Sequence, residues 1–457
     1  MSRQKITEAR RIAYDALVRV SSEKIAPSQV VEELAKNSKE LRSLDRRFIK
    51  EMLWGALRWH SKLYWILQKT SEKRNLDDTT PEVRAALVMG TYQIYYMDRV
   101  PDRAAVSQSA EYVRSHGQHQ AVGFVNGMLR SIARKSKYFQ KPDKEKEPIA
   151  YLSLQYAAPR WVVERWFDRF GYDKTKALLQ GINTPALGCL RVNQLKVSGD
   201  DAFQQLSHSL LKEEHVRTKS RPLSGCLQAD YLPLPSGPSF ANGLVTIQGE
   251  SSQVMASLVD PQESETIYDV CCGPGGKTTS IFEASGGRSN VIGMDAQPHA
   301  IHRAKEQAAR LGHSKIQWKQ QDFLEWKREG ACDKILLDAP CSGLGVLQKH
   351  PEGKMHKTKA HLRQMVELQK KMITHALDQL SSGETLIYSV CSFEPEESSD
   401  HLSWIQKAYD GKIEVVTPVR FLPNYYKKFV TRDNLFMVLA GHKEGLDGFS
   451  AFIVQKK

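Results

Sequence analysis

Two cysteines stand where a polar turn follows an apolar run: Asp338-Ala-Pro340-Cys341-Ser-Gly343 and Tyr388-Ser-Val-Cys391-Ser392-Phe-Glu394. An isolated cysteine is usually a small buried hydrophobe. Here both lie among Ser, Gly and Pro at strand ends, so both are expected to face one ligand cleft. A thiolate is a soft nucleophile, and cytosine is a substrate that needs one, because its C5 is not nucleophilic until C6 has been attacked. The resulting enamine can take a methyl group at C5, and loss of the C5 proton then expels the thiolate. An acid near N3 would offset the charge that builds during attack, and Asp338 is the group available. On the residues alone, either sulfur could be the one that attacks.

A second cluster is the run Asp269-Val-Cys271-Cys272-Gly273-Pro274-Gly275-Gly276-Lys277-Thr278, between a strand-like segment and a helical one. Glycines remove side chains where a backbone must approach a ligand, and a helix start offers unpaired N–H groups. A phosphate-binding P-loop needs glycine five places before Gly276, where Cys271 stands. The dinucleotide fingerprint begun at Gly273 needs Gly or Ala at 278, where Thr278 stands. S-adenosylmethionine remains: it has a ribose and an adenine but no phosphates, so it calls for a glycine loop and carboxylates. Asp295 ends the next strand-like segment, where a carboxylate can accept from both ribose hydroxyls, and Asp322 ends the one after, where it can accept from the adenine amino group. The competing reading of these carboxylates is plain helix and turn capping. Cys271 and Cys272 read as loop packing beside the cofactor, and Lys277 joins Cys341, Cys391 and Asp338 as the chemistry-bearing set.

The elements that must position these groups follow a clear order. Segments 266–270, 290–295, 315–322, 332–338 and 384–390 read as strands, and helical stretches separate them, which predicts an α/β domain with a doubly wound parallel sheet over 256–457 and its ligand at the carboxyl ends of the strands. Upstream, Ile12, Leu17, Val30, Leu34, Phe48, Leu53, Leu57 and Leu63 recur at helical spacings, so Thr7 to about Lys137 reads as an all-helical domain. The charged stretch 135–150, with two prolines, is the expected linker and sets the first domain at 1–145. Residues 146–255 read as a small α+β connecting domain, with a helix around Trp161 to Phe170 and a Pro/Gly/Ser cluster at 232–240.

Composition supports a multidomain globular chain. Its 457 residues are 41% hydrophobic and 26% charged, which excludes a lone small module and a disordered chain. No apolar run approaches a membrane span and the start, MSRQKITEARR, has no apolar signal core, so a cytoplasmic protein with no membrane partner is expected. The seven cysteines include no C-x-x-C pair, which suggests neither a disulfide framework nor a metal site. Residues 1–150 hold 28 Lys/Arg against 18 Asp/Glu, most of the net +13 of the whole chain. A basic helical region of this kind points to a nucleic-acid partner, the alternative being a solvated basic surface.

Together these residues resemble the RsmB/Sun family of RNA cytosine-C5 methyltransferases, in the glycine loop, the Asp-Ala-Pro-Cys segment and the segment around Cys391 and Ser392. The N-terminal segments LDRRFIKEMLWGALRW (44–59), VPDRAAVSQSAEYVR (100–114) and GFVNGMLR (123–130) are similar to the NusB-type RNA-binding domain of that family, and the likeness continues through LRVN (190–193) and IQGESSQ (247–253). The resemblance implies an all-α NusB-like domain, a connecting domain and a Rossmann-like class I methyltransferase domain, acting on small-subunit (16S) rRNA as a monomer. It assigns attack to Cys391 and resolution of the adduct to Cys341, although Pro340-Cys341 is also similar to the Pro-Cys nucleophile of DNA cytosine methyltransferases. Cofactor contacts implied are Cys271, Cys272, Gly273, Pro274, Gly275, Gly276, Lys277, Asp295, Asp322 and Asp338. The chain departs from the family at Gly273 (usually Ala), Val390 (Thr), Gly249 (acidic), and Gln348 with Lys349, where two arginines are expected. A tRNA substrate, or a non-catalytic RNA-binding assembly factor, are the alternatives. Intact Cys341, Cys391, Asp338 and Lys277 argue against the second.

Overall fold

The computed structural model describes residues 6–23, 25–36, 38, 41–71, 75–135, 139–230, 232, 237–441 and 445–457. The first five residues, 136–138 of the expected linker and 233–236 of the Pro/Gly/Ser cluster lie outside them. The chain divides into two compact units, one of residues 1–183 with 349–358, the other of 184–348 with 359–457. The division falls at neither 145 nor 255. The segment 148–183, expected with the connecting domain, belongs to the first unit because helix Pro148–Gln155 packs on the long helix Ser43–Ser71 and on its own successor, Arg160–Asn183.

The first unit is helical throughout, as its spacing predicts. Helices Glu8–Glu23, Pro27–Lys36, Ser43–Ser71, Pro81–Tyr96, Asp102–Ser115 and Val122–Lys135 turn their apolar stripes inward. Ile12, Leu17, Val30, Leu53, Leu57 and Leu63 lie in its core, and Leu34 and Phe48 pack against it half-buried. Thr80 caps the fourth of these helices and Pro81 opens it, which suits a proline that has no N–H to leave unpaired. Residues 349–358 also pack here: the buried Lys354 amino group donates to the Arg58 carbonyl at 3.0 Å and to Asn183 Oδ1 at 2.7 Å.

The second unit holds two sheets. Strands β1 (Gly188–Val192), β2 (Thr218–Ser220), β3 (Cys226–Ala229) and β4 (Val245–Ile247) form an antiparallel sheet in the order β2-β3-β1-β4, with helix Asp200–Glu214 between β1 and β2. The larger sheet comprises β5 (Thr266–Asp269), β6 (Asn290–Asp295), β7 (Gln317–Gln320), β8 (Lys334–Asp338), β9 (Thr385–Val390), β10 (Ile413–Val416), β11 (Phe436–Val438) and β12 (Phe449–Lys456). Its order is β10-β12-β9-β8-β5-β6-β7, with β11 also on β12. All five expected strands are present and parallel, but the sheet is mixed, because β12 runs antiparallel to β9 and carries β10 and β11 antiparallel to itself. The chain steps outward from β5 to β7, then returns to β8 on the other side of β5. That reversal opens a crevice at the carboxyl ends of β5 and β8.

Candidate active site

The turn after β5 lies at this crevice. Val270 N–H donates to the Leu336 carbonyl and Cys272 N–H to the Met294 carbonyl, tying the loop to both neighbouring strands. Gly275 has φ +79°, and a Cβ there would lie 2.8 Å from the Trp318 ring, so only glycine fits between the loop and its neighbours. Gly273 has φ +51°, yet a Cβ would meet nothing within 4 Å, so open space lies over it. Helix Gly276–Ala284 starts at once and leaves its first N–H groups at the crevice.

The carboxylates expected to hold a nucleoside sit at their strand ends. Asp295 accepts from the N–H groups of Gly273 and Gln297, both at 2.9 Å, which locks the glycine loop to the end of β6. Asp322 accepts from Leu324 N–H at 2.9 Å and so caps a short helical turn. Both carboxylates therefore cap backbone here, and each has lone pairs left for a ligand. Asp269, to which the sequence reading gives no role, is fully buried. Its Oδ2 accepts from Thr278 Oγ1 at 2.7 Å while Oδ1 has no partner, and burial pushes its pKa up to about 7. An orphaned acceptor, an open glycine and carboxylates at two strand ends fit a ligand that carries a ribose and an amine. Cys271 and Cys272 are pushed up by burial and stay neutral thiols.

The chemistry-bearing set comes together at β8 and β9, which pair in parallel with Asp338 opposite Ser389. Cys341 Sγ and Cys391 Sγ are 3.1 Å apart and half-buried. Lys277 Nζ meets Asp338 Oδ2 at 2.6 Å, and Ser389 Oγ donates to Asp338 Oδ1 at 2.7 Å. Burial opposes the Lys277 charge, but Asp338 outweighs it and the ammonium is held above its ordinary range. Cys391 is held below the ordinary thiol range, first by the hydrogen bond from Cys341 and, against burial and Asp338, by the Lys277 ammonium. The same shared proton and burial push Cys341 well up. The site thus places Cys391, the more readily ionised of the two sulfurs, and Cys341 beside the Lys277–Asp338 pair.

Two supporting groups lie outside the sequence reading. Arg191 on β1 is buried and donates to both oxygens of Glu283 at 3.0 Å, to Thr279 Oγ1 at 2.8 Å, to the Gly276 carbonyl at 2.7 Å, and to Gln248. His313 reaches Glu283 at 2.8 Å from the other side. The smaller sheet is thereby fastened to the helix that follows the glycine loop. A single arginine within an apolar strand is the only signal the sequence offers for this. Among the described residues, one group has metal-ligand types close together: Cys189, Cys226 and Glu250. Glu250 is already paired with Arg221 at 2.7 Å and accepts from Tyr426, which leaves a cation little of its charge. Among the described residues no helix is long and apolar enough to cross a membrane.

Comparison with known proteins agrees with this architecture. The chain matches the family models for 16S rRNA methyltransferase RsmB/F over residues 256–449, the NusB family over 7–134 and the RsmF/B-like ferredoxin-like domain over 158–219. It is 30% identical over 462 residues to the probable ribosomal RNA small subunit methyltransferase B of Bacillus subtilis, covering 99% of this chain and 100% of that one. It is also 30% identical over 399 residues to the ribosomal RNA small subunit methyltransferase B of Proteus mirabilis, covering 86% and 90%. The crystal structure of PH0851 shares the fold over the whole of both chains, with TM-score 0.83 at 21% identity. A methyltransferase homolog protein from Pyrococcus horikoshii shares it over 68% of this chain and 99% of its own, with TM-score 0.56 at 24% identity. With a NusB-type helical front end, a ferredoxin-like connector and a methyltransferase sheet matched along nearly its full length, the chain belongs to the RsmB/F family of methyltransferases.

Proposed function

We propose that the protein transfers a methyl group from S-adenosylmethionine to C5 of a cytosine in RNA, specifically small-subunit (16S) rRNA, through a covalent cysteine adduct. The observation that carries this reading is the pair of sulfurs 3.1 Å apart beside the Lys277–Asp338 ion pair. A plain methyl transfer to a nucleophilic nitrogen or oxygen needs no thiol, whereas transfer to C5 needs one sulfur to activate the ring. Cys391 attacks as the thiolate and forms the bond to C6. Asp338 is the acid proposed to stand at N3 and offset the charge that develops there, with the Lys277 ammonium beside it. Cys341 serves the later removal of the C5 proton, whose departure returns the electron pair that expels Cys391.

The methyl donor would be held by the Cys271 to Lys277 loop, with Asp295 at the ribose, Asp322 at the adenine amino group and Asp338 nearby. When bound it supplies an electrophilic methyl group, and the residues around it only bind and orient. The functional division proposed is RNA binding by 1–145, a connection through 146–255 and methyl transfer by 256–457, in a cytoplasmic monomer that needs no metal. The names of the relatives favour small-subunit rRNA over tRNA. Bisulfite mapping of 16S rRNA and tRNA, from cells with and without the gene, tests the reading. Loss of one protected cytosine in 16S rRNA is expected, and loss only in tRNA, or in neither, contradicts it.

A further inference from the structure

Glu397 lies just beyond Cys391, in the short turn Pro395–Glu397, and is wholly buried. Among the described residues it has no cationic partner within salt-bridge distance. Its Oε1 accepts from the Ser342 N–H at 2.6 Å and from Gln369 Nε2 at 3.1 Å, and the Ser342 hydroxyl donates to its Oε2. The same Gln369 Nε2 donates to the Pro340 carbonyl at 2.8 Å, and His401 bonds to Gln369 Oε1 at 3.0 Å. Burial lowers the His401 pKa to about 4, so it is a neutral donor there and brings no charge to offset the carboxylate. One side chain following Cys391 therefore grips both neighbours of Cys341: Ser342 directly, and Pro340 through Gln369.

The charges around the two sulfurs are arranged unequally. Lys277 and Asp338 come to the pair from the helix after the glycine loop and from the end of β8, and Glu397 is bonded to Ser342, next to Cys341. Lys277 favours charge on Cys391, whereas Asp338 and Glu397 disfavour charge on both sulfurs, and Glu397 is hydrogen-bonded to Ser342, the residue next to Cys341. A buried carboxylate without a counter-cation is costly to maintain, and its accepting bonds to the Cys341 loop are what offset that cost.

We propose that Glu397 is the positioning residue of the active site: through Ser342 and, by way of Gln369, Pro340, it fixes Cys341 against Cys391 so that the two sulfurs keep separate jobs. The assignment of separate steps to the two sulfurs rests on the cytosine reading above, whereas the placement of the thiols does not.

The test uses the full chain as wild type and E397Q. A glutamine can still accept from the Ser342 N–H, and the Ser342 hydroxyl can turn to accept from its amide, so the shape is kept while the charge is lost. Alkylation by iodoacetamide across a pH series, read on the Cys341 and Cys391 peptides by mass spectrometry, needs no RNA. In wild type Cys391 reacts first. In E397Q both midpoints fall, that of Cys341, whose neighbour Ser342 loses the contact, further, and its rate relative to Cys391 rises by up to about tenfold for each pH unit of that relative fall. A ratio and midpoints equal to wild type overturn the proposal, as does a loss of Tm that changes both thiols alike. A second variant, Gln369→Leu, keeps the Glu397 charge but frees Pro340. With target RNA and methyl donor it should accumulate a covalent protein–RNA species while donor binding holds, and wild-type turnover without that species overturns the clamp. If wild type itself fails to trap 5-fluorocytosine RNA, the cytosine reading fails, while the alkylation result still decides the role of Glu397.

Discussion

Single residues carry most of the chemistry, and their number is small. Asp295 ties the glycine loop to β6 and is proposed to receive the ribose hydroxyls. Asp295→Ala should weaken S-adenosylmethionine binding by about 1.5–3 kcal/mol, the scale for removing charge-assisted hydrogen bonds, and calorimetry showing unchanged affinity would put the ribose elsewhere. Asp269 makes a different prediction, because its carboxyl is raised to about 7 in the fold. The native state then binds a proton more tightly than the unfolded chain does, so this group's contribution is present at low pH and is lost as pH rises from the ordinary carboxylate range towards 7, by up to about 1.4 kcal/mol per unit. Asp269→Asn should remove that slope and gain Tm relative to wild type at alkaline pH. A melting profile across pH that keeps the wild-type slope would mean that another group titrates. The strand-end aspartates and the two sulfurs were legible because each ends an apolar run with a group of unusual chemistry. Glu397 was not, since Glu-Pro-Glu-Glu reads as an acidic helix start and only the fold reveals that the third acid turns inward.

At the scale of elements, four of the parallel strands were readable because each is a short apolar run that ends at Asp or just before Cys, while β7, Gln317–Gln320, is polar and was readable only from its place in the repeat of strand and helix. Strands β10 to β12 escaped the same reading. β12, Phe449–Lys456, is buried along six consecutive residues, so it shows no alternation, and no helical pattern follows it. The first unit's helices were readable from spacing, but the placement of 148–183 was not, since those helices are amphipathic like their neighbours and nothing local says which core they join. Arg191 shows why tertiary links are hard to infer from sequence: its partners are 57 to 92 residues away. Arg191→Ala leaves Glu283 buried without its guanidinium, and should destabilise the second unit by about 3–5 kcal/mol. Urea unfolding that stays within about 1 kcal/mol of wild type would show that His313 alone satisfies Glu283.

For the whole molecule, the basic front end and the methyltransferase sheet are proposed to make distinct contributions to one reaction. The excess of positive charge lies in residues 1–150, and Arg46, Arg103 and Arg130 on the first unit are exposed. Replacing these three by glutamine should weaken RNA binding and flatten its salt dependence, by about 0.7–0.9 in the log–log slope for each phosphate that is no longer neutralised. Methyl-donor affinity should not change. An unaltered slope would mark this face as solvated surface and place the RNA-binding groups elsewhere. The order of domains was legible from charge and periodicity. The excursion of residues 349–358 into the first unit was not, because Gly353–His356 is a single turn whose buried Lys354 looks, in sequence, like any surface lysine.

Two sulfurs 3.1 Å apart are proposed to divide one reaction between them, and covalent trapping tests that division most directly. Wild type, Cys391→Ala and Cys341→Ala are incubated with 16S rRNA fragments and S-adenosylmethionine and run on a denaturing gel, with 5-fluorocytosine RNA and wild type as the control that the target is right. Fluorine cannot leave as the proton does, so the control should trap. Cys391→Ala should form no adduct and transfer no methyl group. Cys341→Ala should attack and methylate but stall before thiolate expulsion, and migrate with RNA attached. An adduct in Cys391→Ala with none in Cys341→Ala would contradict this division and make Cys341 the nucleophile.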